Sequence, residues 1–109
     1  MINWDDFAKL DIRCGTILEV TDFPQARNPA YQLMIDFGPL GIKRSSAQIT
    51  YHYPKEALKG RQVVAVVNFP PKQIANFFSE CLVLGVYDTN KQVILLAPDK
   101  EVENGGKVG

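Results

Sequence analysis

The clearest pattern in the chain is an alternation of apolar and polar residues between Leu10 and Val20. A period of two is typical of a half-buried β-strand. Gly15, in the middle of this run, predicts a bulge or a sharp coil, which long strands use where they bend around a small barrel. One face of the predicted strand is apolar and carries Leu10, Ile12, Cys14, Thr16, Leu18 and Val20.

Further apolar runs predict five more strands, and the last two can pair as a hairpin across the turn at 88–91. Asn3 is a good N-cap for a short helix over residues 4–9, and Pro54 suits the first turn of a second helix over 54–59. Pro24 and Pro29 indicate a loop between the first two strands. The five additional strands are expected over residues 31–37, 42–49, 61–69, 81–88 and 92–98.

The order of these elements predicts the fold class. Three strands, a short helix and further strands fit an all-β protein with short helices, built as the five-stranded Greek-key barrel of the OB-fold. A ferredoxin-like sheet is the competitor, but it needs a helix between the first two strands, where Pro24 and Pro29 oppose one. A chain of 109 residues is expected to form one domain, 1–109, with residues 86–109 as a C-terminal hairpin extension of the barrel.

Charge and composition exclude several classes of function. Twelve basic and twelve acidic side chains cancel, so nucleic-acid binding requires a local basic patch rather than a global field. The N-terminal ten residues contain two acids and lack the apolar core of a signal peptide, and no run reaches the roughly 20 apolar residues of a membrane span. We therefore expect a cytoplasmic protein without membrane insertion.

The tripeptide Ser79-Glu80-Cys81 raises the question of a reactive cysteine. A cysteine nucleophile needs a base beside it and an electropositive setting. Glu80 works against a low thiol pKa, and the only histidine, His52, lies far away in the sequence. Two cysteines and one histidine also fit no usual zinc spacing, and no phosphate-binding glycine motif is present. We expect no enzyme activity, no metal and no cofactor.

Ligands of OB-folds lie across the second and third strands, between the loop that joins strands 1 and 2 and the loop that joins strands 4 and 5. Phe77 and Phe78 are candidates for stacking on bases or for lining a peptide pocket, although either can instead belong to the core. Polar side chains in the same elements are expected to contact RNA, or else to be solvated: Arg27, Lys43, Arg44, Ser45, Ser46, Gln48, Lys72, Gln73, Asn76 and Ser79.

Several motifs in order carry a resemblance to a known family: KLDIRCGTI, KRSSAQI, VAVVNFPPKQIANFFSECLVLG and PDKEVENGGKVG. Nearly end to end, the chain resembles the CsaA family of stand-alone tRNA-binding-domain proteins, reported as export-related chaperones. It is more distantly similar to the tRNA-binding modules of methionyl-tRNA synthetase and of the β chain of phenylalanyl-tRNA synthetase.

The resemblance implies an OB-fold homodimer that binds tRNA without strict base readout. Unfolded or export-bound polypeptides are implied as an alternative class of partner, on the same face. Trp4 and Phe7, together with residues 86–109, would carry the dimer contacts. Phe78 departs from the family, whose members often have a polar, basic or methionine residue there, and this favours stacking or an apolar pocket at that position.

Overall fold

The computed structural model describes all residues from 1 to 109. Two short α-helices and one 3₁₀ turn, Gly38–Leu40, accompany nine strands. None of these helices is long and apolar enough to cross a membrane. The elements are α1 (Trp4–Ala8), β1 (Ile12–Asp22), β2 (Tyr31–Asp36), β3 (Ile42–Ala47), α2 (Lys55–Leu58), β4 (Gln62–Val66), β5 (Lys72–Ile74), β6 (Phe77–Ser79), β7 (Leu82–Val83), β8 (Gly85–Tyr87) and β9 (Val93–Leu95).

Five strands form one antiparallel sheet in the order β3-β2-β1-β4-β7, and α2 lies between β3 and β4 along the chain. This sheet coils into a nearly closed barrel, which confirms the predicted OB-fold. The core fills the barrel with apolar side chains from every strand of the sheet except β7, whose Val83 packs against it. Its largest fully buried members are Phe37, Ile17, Leu33, Ile35, Leu58 and Val63.

Residues 79–81 close the barrel against β3. The Glu80 backbone N–H donates to the Arg44 carbonyl oxygen at 2.8 Å, and the Arg44 N–H donates to Glu80 Oε1 at 2.9 Å. The Ser46 N–H donates to Ser79 Oγ at 3.1 Å. Hydrogen bonds to the side chains of Ser79 and Glu80 thus replace most of the backbone hydrogen bonds that would otherwise join β3 to the last barrel strand. The tripeptide around Glu80 therefore helps to close the barrel.

Strand β1 contains an irregularity in its pairing, but not at Gly15, where the sequence predicted one. The pairing with β2 shifts between Ile17 and Glu19, so the prediction of a bulge at Gly15 was wrong. Gly15 instead allows close packing, because a Cβ atom there would lie 2.7 Å from both Ile35 Cγ2 and Phe37 Cδ1. The shift changes which alternate residues face inward: Ile17 belongs to the core before it, and Val20 packs on the core after it.

Two predicted segments differ from the structure around the fifth barrel strand. The predicted loop after β4 contains a hairpin, β5–β6, whose tip includes Ala75 at a φ of 53°. The predicted strand over 81–88 is divided, because β7 ends at Val83 and β8 pairs with β9 in a separate sheet. That second pairing confirms the predicted C-terminal hairpin, with Tyr87 opposite Val93.

The C-terminal tail adds to the free edge of the N-terminal half of β1. The Gly105 N–H donates to the Cys14 carbonyl oxygen at 2.7 Å, and the Cys14 N–H donates to the Gly106 oxygen at 2.9 Å. The Val108 N–H donates to the Ile12 oxygen at 2.9 Å. Residues 105–108 therefore extend the barrel edge rather than trailing into solvent.

Candidate nucleic-acid interface

A cleft of about 880 Å³ opens beside the end of β3. One wall is formed by residues 46–51, and a second by the β5–β6 hairpin through Lys72, Ile74 and Ser79. The turn of the β8–β9 hairpin forms a third wall. Apolar residues such as Ile49 line the cleft between these walls. The cleft therefore lies where OB-folds bind ligands, with an additional wall supplied by the C-terminal extension.

The charge of the cleft differs from that of the whole chain. Lys72 and Lys91 line it, and no aspartate or glutamate does. Neither lysine takes part in an ion pair. The twelve acids that balance the twelve bases of the chain thus lie elsewhere. The cleft is a local cationic site in a protein without net charge.

Of the polar residues predicted to contact RNA, four line the cleft: Ser46, Gln48, Lys72 and Ser79. The alternation along β3 explains the first two, because Ser46 and Gln48 share a face. Arg27 and Asn76 are exposed and Lys43 is half-buried, but none of the three lines the cleft. Arg27 precedes Asn28, which does line it, and Asn76 lies at the tip of the β5–β6 hairpin.

Ser45 was predicted to offer an exposed hydroxyl, and the structure shows that this was wrong. Its side chain is fully buried, and its hydroxyl donates to the Cys81 carbonyl oxygen at 3.0 Å. Ser45 lies on the same face of β3 as Ala47, which is also buried. The residue therefore holds the barrel closed from inside.

Cys81 lies beside this contact and is buried. Burial raises the pKa of its thiol to about 11; the hydrogen bond with the Ser45 side chain is the next cause in size and lowers it, and the carboxylate of Glu80 makes a lesser raising contribution. Thiolate is the nucleophilic form, so this cysteine is a poor nucleophile at neutral pH.

The sequence left Phe77 open between stacking on a ligand and a place in the core, and the structure supports the core alternative. The side chain is buried in a small cluster with Phe23, and the ring centroids lie 5.4 Å apart. The Arg44 guanidinium carbon lies 5.1 Å from the Phe77 ring centroid, and Arg44 Nε lies 3.7 Å from Glu80 Oε1. Arg44 thus fixes the β5–β6 hairpin to β3, outside the cleft lining.

Phe78 is exposed but faces away from the cleft. Residues directly opposite in the β5–β6 hairpin share a face, and Gln73 is paired with Phe78. Lys72 and Ser79 form the next pair and lie on the other face, which lines the cleft. Gln73, predicted to contact RNA, lies on the face of Phe78, and its side-chain N–H donates to the Ala75 carbonyl oxygen at 3.0 Å.

The cleft residues that the sequence-based prediction of the site missed include Tyr51, Tyr87 and Lys91. Tyr51 follows β3, whereas Tyr87 and Lys91 flank the β8–β9 turn. The sequence predicted this hairpin but contained no signal for its packing across the cleft. Residue His52 provides part of that packing, since its Nε2 lies 2.8 Å from Asp88 Oδ2.

Asp88 organises the turn that carries Lys91. Its Oδ1 accepts hydrogen bonds of 2.8 Å from the backbone N–H groups of Asn90 and Gln92. The hydrogen bond with His52, followed by the one from the Gln92 backbone, holds the pKa of Asp88 below its ordinary value. The carboxylate is therefore ionised at neutral pH, and it joins two walls of the cleft.

The N-terminal helix presents an apolar surface away from the cleft. Asn3 and Asp6 form a reciprocal capping box that stabilises the first turn of α1. The helix buries none of its residues, and Trp4 is 87% exposed. Trp4 and Phe7 line a small depression together with Ile2 and the C-terminal residue Gly109. Trp4 and the neighbouring Ile2 therefore leave an apolar surface in water at this end of the chain.

Comparison with solved structures finds chains of the same length and fold. The chain is 53% identical to the chaperone CsaA of Bacillus anthracis strain Ames, with a TM-score of 0.95, covering 100% of this chain and 99% of the other. It is 55% identical to the CsaA chaperone protein of Picrophilus torridus, with a TM-score of 0.94 and complete coverage of both chains.

Curated relatives are longer. The methionine–tRNA ligase of Pyrococcus abyssi is 40% identical over 107 residues, which are 98% of this chain but 14% of the ligase. The match therefore concerns one small part of that protein. Residues 12–107 match the family described as "Putative tRNA binding domain". Because this match spans most of the barrel and its extension, the chain belongs to the family of tRNA-binding domains.

Proposed function

We propose that this protein binds tRNA as a homodimer, recognising the shape and backbone of the RNA rather than its base sequence, with no catalytic role of its own. The observation that carries the proposal is the cleft, which combines two unpaired lysines with hydroxyl and amide groups and has no aspartate or glutamate among its lining residues. Lysine, serine and glutamine side chains are typical partners of phosphate and sugar oxygens. Such contacts fix the position of the RNA without recognising its base sequence.

The small number of cations explains why two copies are needed. Each phosphate neutralised contributes about −0.7 to −0.9 to the slope of log affinity against log salt. Two lysines in one cleft therefore supply little affinity at physiological salt. A second copy makes the next contact intramolecular and raises the overall affinity without new chemistry. The exposed Arg27 and Asn76 and the half-buried Lys43 are placed to meet RNA beyond the cleft.

The proposed dimer contact includes α1, because Trp4 leaves a large apolar surface in water. Of residues 86–109, Tyr87 and Lys91 lie outside the proposed contact, in the lining of the cleft. We expect Trp4→Glu to convert the dimer to a monomer, since a carboxylate buried in an apolar interface is strongly unfavourable. Sedimentation equilibrium measures the change. Leu40→Glu is the matched control, because Leu40 is also an exposed apolar residue, in the 3₁₀ turn. If the Trp4→Glu variant is still a dimer, α1 does not belong to the interface.

A second candidate function is the binding of unfolded or export-bound polypeptides. It is favoured by the two CsaA structures, both described as chaperones, and by the apolar lining of the cleft, which includes Ile49, Val83 and Val93. An apolar cleft with a polar rim suits an extended polypeptide. Both ligand classes would then compete for the same surface.

Competition at two salt concentrations tests the proposed function. Fluorescent tRNA is bound to the protein and then titrated with a reduced, unfolded polypeptide. We expect binding of tRNA to weaken as salt rises, as counterion release requires, and the polypeptide to displace it. Failure to bind tRNA at low salt would contradict the proposed function. Simultaneous binding of both ligands would place the polypeptide at a different surface.

A further inference from the structure

The four tyrosines of the chain divide into two structural pairs and only one pair has an evident role in the fold. Tyr31 and Tyr53 are buried, and their hydroxyls are satisfied: Tyr31 donates to the Tyr53 carbonyl oxygen, and the Tyr53 hydroxyl accepts from the Leu95 N–H. Tyr51 and Tyr87 are 69% and 73% exposed. Neither of their hydroxyls makes a hydrogen bond within the chain, so the fold does not account for them.

The exposed aromatic residues are concentrated in the cleft. Only five aromatic side chains of the chain are exposed, and Tyr51, Phe69 and Tyr87 all line it. The other two, Trp4 and Phe78, lie on different surfaces. Exposed aromatic rings beside unpaired cations are the combination with which proteins bind single-stranded nucleic acid, because rings stack on bases while cations meet phosphates.

The two tyrosines are held on opposite walls by one network. The rings of Tyr51 and His52 pack in a T-shaped arrangement, with centroids 4.8 Å apart and planes at 88°. His52 bonds to Asp88, which directly follows Tyr87 and fixes the turn that carries Lys91. These contacts therefore fix the segments that carry the two tyrosine rings. Their placement before binding lowers the entropy lost when a ligand enters.

We infer that this cleft binds unpaired nucleotides of RNA, with bases stacked on Tyr51 and Tyr87 and phosphates contacted by Lys72 and Lys91. The inference rests on the proposed function and adds the part of the RNA that enters the cleft. Bases within a duplex are already stacked on each other and paired, so they do not reach these rings. Two unpaired lysines in a lining without aspartate or glutamate favour a polyanion over a neutral polypeptide.

The test measures fluorescence anisotropy with two RNA probes and the full-length protein. One probe is a labelled oligouridylate of about eight nucleotides, within the site size of a single OB-fold. The other is a blunt RNA duplex of similar phosphate number. We expect Tyr87→Ala and Tyr51→Ala each to raise the Kd for oligouridylate at least about fivefold, the lower bound of stacking on one base. Binding of the duplex should change little.

Two further variants separate stacking from other effects. Tyr87→Phe keeps the ring and should retain binding of oligouridylate. Phe78→Ala removes an exposed ring outside the cleft and should leave it unchanged. All four variants alter exposed side chains, so their melting temperatures should match that of the unmodified protein, and this measurement serves as the control for folding.

Several results would overturn the inference. An equal loss for duplex and oligouridylate would indicate a general effect on phosphate binding. An unchanged Kd for oligouridylate in both alanine variants would remove the tyrosines from the site. Loss of binding to an unfolded polypeptide alone would assign the tyrosines to that ligand instead. Binding of tRNA without any binding of oligouridylate would refute the inference alone, whereas failure of both RNAs to bind would refute the proposed function itself.

Discussion

Reversing the charge of both cleft lysines, by Lys72→Glu together with Lys91→Glu, is expected to abolish the gel shift of tRNA. The two substitutions place four negative charges, one pair in each cleft of the dimer, where phosphates are proposed to lie. Lys72 and Lys91 are exposed and unpaired, so their loss breaks no ion pair in the fold. At low salt, the slope of log affinity against log salt should lose about one unit for each lysine contact removed.

A matched control keeps the change in net charge and moves it away from the cleft. Lys59 and Lys100 are both exposed and do not line it. Lys59 makes only a weak surface contact with Glu19 at 3.8 Å. The pair Lys59→Glu and Lys100→Glu should therefore retain the gel shift. If the control weakens tRNA binding as much as the cleft variant does, long-range charge rather than the cleft is responsible.

The choice of lysines shows what the structure adds to the sequence at this site. From the sequence, Arg44 is as good a phosphate contact as Lys72. In the fold, the Arg44 guanidinium packs on Phe77 and lies beside Glu80. Charge reversal at Arg44 would place two carboxylates together where the barrel closes. A loss of tRNA binding in that variant would report on the closure of the barrel as much as on the interface.

Local sequence patterns predicted the fold more completely than they predicted the candidate site. Period-two runs and the helix before β4 are local features, and they were sufficient for the barrel and its C-terminal hairpin. The face of a residue on β3 was also available from alternation. Ser45 falls on the face opposite Ser46 and Gln48, and the same face includes the buried Ala47. That signal, given more weight, would have removed Ser45 from the predicted site.

Register and long-range packing were not available from local patterns. The adjacent residues Phe77 and Phe78 are chemically identical, so only the hairpin turn that includes Ala75 decides which one is buried. Tyr51 and Tyr87 are 36 positions apart in the sequence and meet one cleft through the bond between His52 and Asp88. Neither the register nor this contact follows from composition or period.

A large effect on stability is expected at Gly105, where the C-terminal tail meets the barrel. Gly105 has a φ of 90°, and a Cβ atom there would lie 2.6 Å from the backbone oxygen of Phe37. The Gly105 oxygen also accepts a hydrogen bond from Arg13 Nη1 at 3.0 Å. Gly105→Ala therefore combines unfavourable backbone geometry, about 1–2 kcal/mol, with a clash costing about 1–3 kcal/mol. Thermal unfolding followed by circular dichroism measures the loss.

Gly41→Ala separates these two costs within the same chain. Gly41 has the same φ of 90°, but a Cβ atom there meets nothing within 4 Å. Its substitution should lower the free energy of unfolding by the backbone term alone. Each further kcal/mol lost in Gly105→Ala should lower the melting temperature by about 4–8 °C more, the range for a domain of this size. Equal melting temperatures for the two variants would mean that the tail moves away from Phe37 at no cost, and residues 105–108 would then contribute little to holding the edge of β1.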